Sequence, residues 1–570
     1  MKNLTLLLSY LLLSSVAFGG VPNLEARWDI PDWGVDAQIP AGGDRGNLYN
    51  LNAEELQAVV RAGRLHSLNY PVDVTGLLIP WRPIKDFLNG KRPGGLRRIL
   101  YYLGRTVSPF KSEEELFSWM GLNDFPEEEG TGATYVPFPD GYRPERPMGF
   151  TLIDRQAKGE TVEGMTMSCT VCHSNNLFGQ KVIGLTNRFP RANHLFLNAK
   201  EGFKKLPVWL FKAATGGTKG ETELIRQVKH TLDFVGVKKP IQLGLDTSLA
   251  QVGLSLNLRK KDDYASRVKV PKTPHFFDKG IADSKPAVWW NLKYKTRWLS
   301  DGSMVSGNPI LTNFLWNEIG RGVDLKLLEK WMHANKQKIA ELTAAVFATP
   351  APKYIDFFGA QSIDLVGAKR GEKVFNKTCR KCHGAYQKGW NLPEQDQLSL
   401  EEKLATTKVL YPRKSKNKDV GTDPLRYQGM KYFAKDLNRL AISKWMKTVV
   451  VPQVGYIPPP LVGIWARFPY FHNNSVPNLC SLLETEEKRP TKYWAGASLD
   501  KQRDFDSDCV GYPTGEKTPD IWKKDAAYLY DTTRKGMSNF GHSNRILTRE
   551  GRNVLSVDQK KDLIQYLKTL

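Results

Sequence analysis

Cysteine is scarce in this 570-residue chain: there are six, and four of them fall in two copies of one short motif. A dense disulfide framework is therefore excluded as the organising principle. The 41% hydrophobic and 11% aromatic content supplies real cores instead. Histidine is scarce as well, with nine residues, so candidate metal ligands are few. Past the N-terminal segment no apolar run reaches the roughly 20 residues of a bilayer-spanning helix, and no transmembrane span is expected. No nucleic-acid-binding motif is present, and no short repeat beyond the duplicated cysteine motif. Acidic residues are outnumbered, 59 against 82 Lys and Arg, giving a formal charge of +23. Such a balance speaks to partners rather than to fold. It suits acidic partner proteins or an anionic cell envelope.

What is present begins with a leader-like segment. Lys2 precedes an apolar stretch over residues 4–18, and Ala17-Phe18-Gly19 offers small residues around a cleavage point. That pattern predicts a secretory signal peptide over 1–19 and a periplasmic or secreted mature chain. Residues 20–160 are punctuated by Pro, Gly and aromatics, as in Pro137-Phe138-Pro139-Asp140-Gly141. They predict a loop-rich extension with short helices such as 53–62. A first unit follows over 161–348. Its last segment, 324–347, carries Leu325, Leu328, Trp331, Met332, Ile339, Leu342 and Val346 at helical spacing and predicts one amphipathic helix. Thr349-Pro350-Ala351-Pro352 ends it and opens a second unit, 349–570. There Gly371, Phe375 and Cys379 share one helix face. Ser556-Val557-Asp558-Gln559 predicts a capped terminal helix.

Cys169-Thr170-Val171-Cys172-His173 and Cys379-Arg380-Lys381-Cys382-His383 have the spacing of c-type haem attachment. Two thiols one turn apart can add to the two vinyl groups of one haem, and the next residue, His, reaches the iron. A chance match is on the order of one in a thousand for this composition, and two are far rarer. Zinc would need a second ligand pair, and neither motif has one. Two covalent haems c, with His173 and His383 as proximal ligands, are expected. The remaining Cys480 and Cys509 suit a disulfide in an oxidising compartment.

The occupant of each iron's sixth position separates electron carriers from oxygen or peroxide chemistry. For the second haem, His542 in the Gly-rich loop 535–542 is the preferred ligand, over Met537, Met430, Met446 and His472. For the first, His194 is the nearest candidate beyond the motif, with His230 and His275 weaker. His66 and His333 read as solvent-facing. Trp289-Trp290 could relay electrons between haems, or could be ordinary core aromatics.

The two haem motifs, the Trp-rich segment before Ser300-Asp301-Gly302, and the stretch containing Pro469-Tyr470-Phe471-His472-Asn473-Asn474-Ser475 together resemble the dihaem cytochrome c peroxidase superfamily, which includes the MauG-like enzymes. Asn474 stands where that signature usually has Gly. Within the superfamily the chain most resembles the bacterial rubber oxygenases. The resemblance implies a mainly α fold of two cytochrome-c-like haem domains with large loop-rich insertions and an N-terminal extension. It implies a reactive haem on His173 with an open distal side for dioxygen, an electronic haem on His383 and His542, and Trp289 or Trp290 between them. The calcium site and glutamate of the bacterial peroxidases have no counterpart assigned here. Three functions stand open: an oxygenase acting on an apolar alkene polymer or lipid, a peroxidase, and an electron carrier with both haems six-coordinate.

Haem-stained denaturing gels and intact mass should show two covalent haems on the mature protein. Cys172→Ala or Cys382→Ala should impair attachment of one and spare the other; a wild-type chain with one haem would contradict the reading.

Overall fold

A computed structural model describes residues 20–570 except 42, 92, 93, 96, 260–282, 544, 545, 550 and 551. The leader expected over 1–19 and the candidate His275 lie outside the described residues. Helix accounts for 44% and strand for 12% of the chain, so the fold is mainly α.

Helix α1 (Ala53–Asn69) begins at Asn52, whose side chain accepts from the Glu55 amide while Glu55 returns a bond to the Asn52 amide. This reciprocal cap satisfies amides that the first turn leaves open. The helix runs on well past the expected 62 because tertiary packing extends it. At Gly63 an added Cβ would lie 2.1 Å from the Glu341 carbonyl oxygen. Only glycine permits so close an approach.

Strands β1 (Phe150–Ala157) and β2 (Glu160–Met167) form an antiparallel hairpin in register from Phe150 opposite Met167 to Ala157 opposite Glu160. Lys158 and Gly159 make the turn, both with positive φ, which matches the strand twist. A second hairpin, β3 (Ser174–Leu177) with β4 (Gln180–Ile183), follows His173 at once. The first motif is thus held between two hairpins. The helix expected before the second motif is found there, ending at Cys379.

Helix α2 (Pro309–Gly320) is capped by Asn308, with proline in its first turn. The stripe over 324–347 predicts one helix, and the structure divides it into α3 (Leu325–Ala334) and α4 (Lys336–Ala348). Asn335 makes the break, with φ −124° and ψ 32°, and its side-chain amide donates to the Trp331 carbonyl at 2.9 Å. A local side-chain bond of this kind competes with the helical ladder. Beyond it every residue from Ile339 to Phe347 is buried. Helices α1 to α4 and part of segment 430–450, including Met430, Phe433, Leu437 and Met446, build one hydrophobic core.

A second core gathers residues from 354–409 and 461–570 around α5 (Leu365–Thr378) and α6 (Val557–Lys568), joined by Leu177, Val182 and Trp290. The expected cap forms at Ser556 and Gln559. The helices cross at Gly371, where a Cβ would sit 2.0 Å from the Asp562 carbonyl oxygen. Arg370 clamps Asp562 through two bonds of 2.7 and 2.8 Å. Phe375 lies 5.2 Å from Tyr566, ring centre to ring centre, and Cys379 caps the end of α5. The crossing therefore fixes where the second motif starts.

Cys480 and Cys509 form the expected disulfide across a sequence separation of 29. Peptide mapping without reduction should recover the linked pair. Replacing both by Ser should lower unfolding stability by about 3.5 kcal/mol on the chain-entropy account; unchanged stability would contradict it.

Candidate haem-binding site

At the first motif the amides of Cys172 and His173 both donate to the Cys169 carbonyl, at 3.3 and 3.1 Å. This tight turn puts the two thiols and the imidazole on one side. Burial pushes the Cys169 thiol up to about 11 and the His173 imidazole down to about 4. His173 is therefore neutral near pH 7, the form that donates a lone pair to a metal. Its carbonyl accepts from the Gly184 amide at 2.8 Å, and the Gly184 carbonyl accepts from the Trp289 amide at 2.9 Å. That short relay sets the Trp289 ring 5.6 Å from the His173 ring, tilted by 40°. Trp290 turns the other way. It is completely buried in the second core and donates from Nε1 to the Val462 carbonyl at 2.8 Å. Adjacent tryptophans thus belong one to each core.

At the second motif His383 follows the same turn, and its Nδ1 meets the Pro459 carbonyl at 2.8 Å. A carbonyl only accepts, so Nδ1 carries the proton and Nε2 is left as the ligating atom. Tyr386 ties this arrangement down: its hydroxyl donates to the His383 carbonyl at 2.8 Å and accepts from the Leu461 amide at 2.6 Å. The His542 ring faces the His383 ring with centres 6.1 Å apart and planes 20° from parallel. With metal–imidazole bonds of about 2 Å, two rings flanking one ion stand about 6 Å apart.

The loop carrying His542 is held from several sides. Gly541 has φ 107°, and a Cβ there would meet the Thr422 amide at 2.8 Å, so glycine is required. Arg489 donates to the carbonyls of Asn539 and Gly541, and Glu486 accepts from the Gly541 amide at 2.8 Å and from the Ser543 hydroxyl. Phe471 stacks on the outer face of His542 at 5.4 Å. Burial, then the neighbouring His383 and Arg489, push His542 down to about 3.

The four motif thiols and the imidazoles of His173, His383 and His542 keep half-buried surface. Free thiols in pairs, each followed by a neutral imidazole, fit the donor set that covalent haem c requires.

The other candidates go elsewhere. His472 is stacked on Tyr456 at 4.1 Å, with its Nε2 3.0 Å from the tyrosine hydroxyl. Met430 and Met446 pack in the first core and Met537 in the second. His194 lies on the helix Ala192–Lys205, and no hydrogen bond or ring contact joins it to the first motif among the described residues. His230 is exposed beside Phe234. His333 is exposed as expected, its ring tilted by 41° against Trp445 at 4.1 Å. His66 is not solvent-facing as expected: its Nε2 pairs with Glu341 at 2.7 Å, between α1 and α4. Sequence reasoning missed Pro459, Tyr386 and Arg489. The proline run 458–460 and the signature-like stretch beside it were the available signals.

Residues 455–495 match the model of a family described as RoxA-like, cytochrome c-like. The segment contains Pro459, Val462, Phe471 and Arg489. Over 485 residues the chain is 24% identical to Uncharacterized protein y4iJ of Sinorhizobium fredii, covering 73% of this chain and 78% of that protein. Over 242 residues it is 26% identical to Uncharacterized protein y4iM of the same organism, covering 36% of this chain and 49% of that protein. The family match, on the segment that braces the second motif, supports a c-type cytochrome and an oxidoreductase.

Proposed function

We propose that the chain is an exported dihaem c-type cytochrome with one reactive haem, on His173, and one electron-transfer haem, on His383 and His542. The division follows the proposed units 161–348 and 349–570. The observation that carries it is an asymmetry: His383 is opposed by His542 at 6.1 Å, and no imidazole opposes His173 in this way among the described residues. Export is supported by the disulfide. No helix among the described residues is long and apolar enough to cross a membrane.

Bound haem supplies one-electron transfer and, where its sixth position is open, dioxygen or peroxide chemistry. The protein supplies the rest. Burial keeps His173 neutral. The Pro459 carbonyl orients His383 and raises its basicity as a ligand. Arg489 and Glu486 hold the loop of His542 in place, so a haem held by His383 would also find His542 and would be closed to small molecules. Trp289 and Trp290 link the cores and serve as the electron path between haems. The substrate class is an apolar alkene, on the resemblance to rubber oxygenases, with dioxygen as co-substrate. Peroxide reduction is the second reading, and an acidic redox partner would suit the +23 charge.

His542→Ala should convert the second haem to high-spin and let it bind carbon monoxide, leaving the first unchanged, as read by absorption spectra of the ferric and reduced forms. A second haem that stays low-spin and closed would remove His542 from the ligand set.

A further inference from the structure

Four cations, Arg188 and Lys295 buried and Lys285 and Arg467 half-buried, converge on the loop 460–469, where no carboxylate pairs with them among the described residues. Lys285 donates from Nζ to the Arg467 carbonyl at 3.0 Å and to the Pro469 carbonyl. Arg188 donates to the carbonyls of Phe468 at 2.9 Å and Ala466 at 3.1 Å and to the Ser498 hydroxyl at 2.9 Å, with its guanidinium 3.7 Å over the Phe468 ring. Arg467 donates to the Pro460 carbonyl at 3.0 Å. Lys295 is 9% exposed and has Arg467 as its charged neighbour. No ion pair joins any of the four to a carboxylate among the described residues; the charged neighbours of Lys285 are Arg467 and Arg188 themselves. Burial, then this like-charge crowding, pushes Lys295 down to about 7.

Buried like charges repel, and leaving them without counter-anions is expensive. Neutral carbonyls solvate them but cancel no charge. The place is informative. Pro460 adjoins Pro459, the acceptor of His383. Lys285 lies two residues before Ala287, whose carbonyl faces His173, and its amide donates to the His472 carbonyl at 2.7 Å. The cluster therefore lies beside both motifs. Lys285 and Arg467 both keep half-buried surface, and Arg467 is a charged neighbour of His383.

We infer that Lys285, Arg467 and Lys295, with Arg188 behind them, form one anion-holding site that takes the propionate carboxylates of the two haems. This rests on the dihaem reading. It makes these cations positioning residues: they orient the haem edges toward each other and toward Trp290, whose indole donates to Val462 in the same loop. They also set the potentials. A positive charge near a haem favours the reduced iron, because reduction removes one unit of positive charge.

The test is a redox titration of the wild-type holoprotein and of Lys285→Met and Arg467→Met, each first shown by haem stain and mass to carry two haems. Losing a cation should shift the reduction equilibrium of at least one haem about tenfold toward the oxidised form, a fall of about 59 mV for a one-electron couple. Arg467→Lys should keep most of the wild-type potential. Unmoved potentials in both Met variants with both haems attached would overturn the inference. An independent reading comes from an experimental structure of the wild-type holoprotein. A propionate oxygen within hydrogen-bond distance of Lys285 Nζ or of the Arg467 guanidinium is expected. Both cations facing water or a free small anion, with every propionate elsewhere, would overturn it. A wild-type protein with fewer than two haems is a different failure, that of the dihaem reading itself.

Discussion

The bond between His383 Nδ1 and the Pro459 carbonyl, at 2.8 Å, decides which nitrogen the second motif offers to a metal. Much else depends on the segment that delivers it. Pro458, Pro459 and Pro460 have fixed φ and no amide hydrogen; the Pro459 carbonyl accepts from His383, while those of Pro458 and Pro460 accept from the Tyr411 hydroxyl and from Arg467. The next residues present the Val462 carbonyl to Trp290 and stack Phe471 on His542. Arg489 then ties down the loop 539–541. A short stretch of chain thus fixes the placement of His383, of His542 and of the Trp290 indole. That the family match falls on 455–495 is consistent with this mechanical role.

The two motifs are built by different local means. At the second, glycine at 371 lets the backbones of α5 and α6 touch, and the crossing fixes Cys379 at the helix end. At the first, two hairpins with positive-φ turns hold a single tight turn between them. Desolvation acts alike at both, favouring neutral imidazoles. The asymmetry arises later in the chain, from Gly541. It lets the backbone pass against Thr422 and bring His542 opposite one motif only.

Much of this was legible in the sequence because it rests on local chemistry. The haem motifs, the Ser556 cap, the mainly helical content, the Cys480–Cys509 pair and the Gly-rich approach of His542 all depend on residues close in sequence or on rare residue types. The break at Asn335 was less visible, because the apolar stripe runs through it while one side-chain bond interrupts the backbone. The hairpins flanking the first motif were not read, because they depend on strand pairing rather than on the motif's own residues. His66 looked exposed on its own helix, and only the packing of α1 on α4 brings Glu341 to it. The cation cluster was out of reach for the same reason, since its members lie at 188, 285, 295 and 467.

The central claim is that the two haems are unequal. Electron paramagnetic resonance of the oxidised wild-type protein tests it most directly, because spin state reports the sixth ligand. The account predicts one low-spin signal from a haem with two imidazole ligands and one high-spin signal from a haem with an open position. Two low-spin signals of equal weight would contradict it and make the protein an electron carrier.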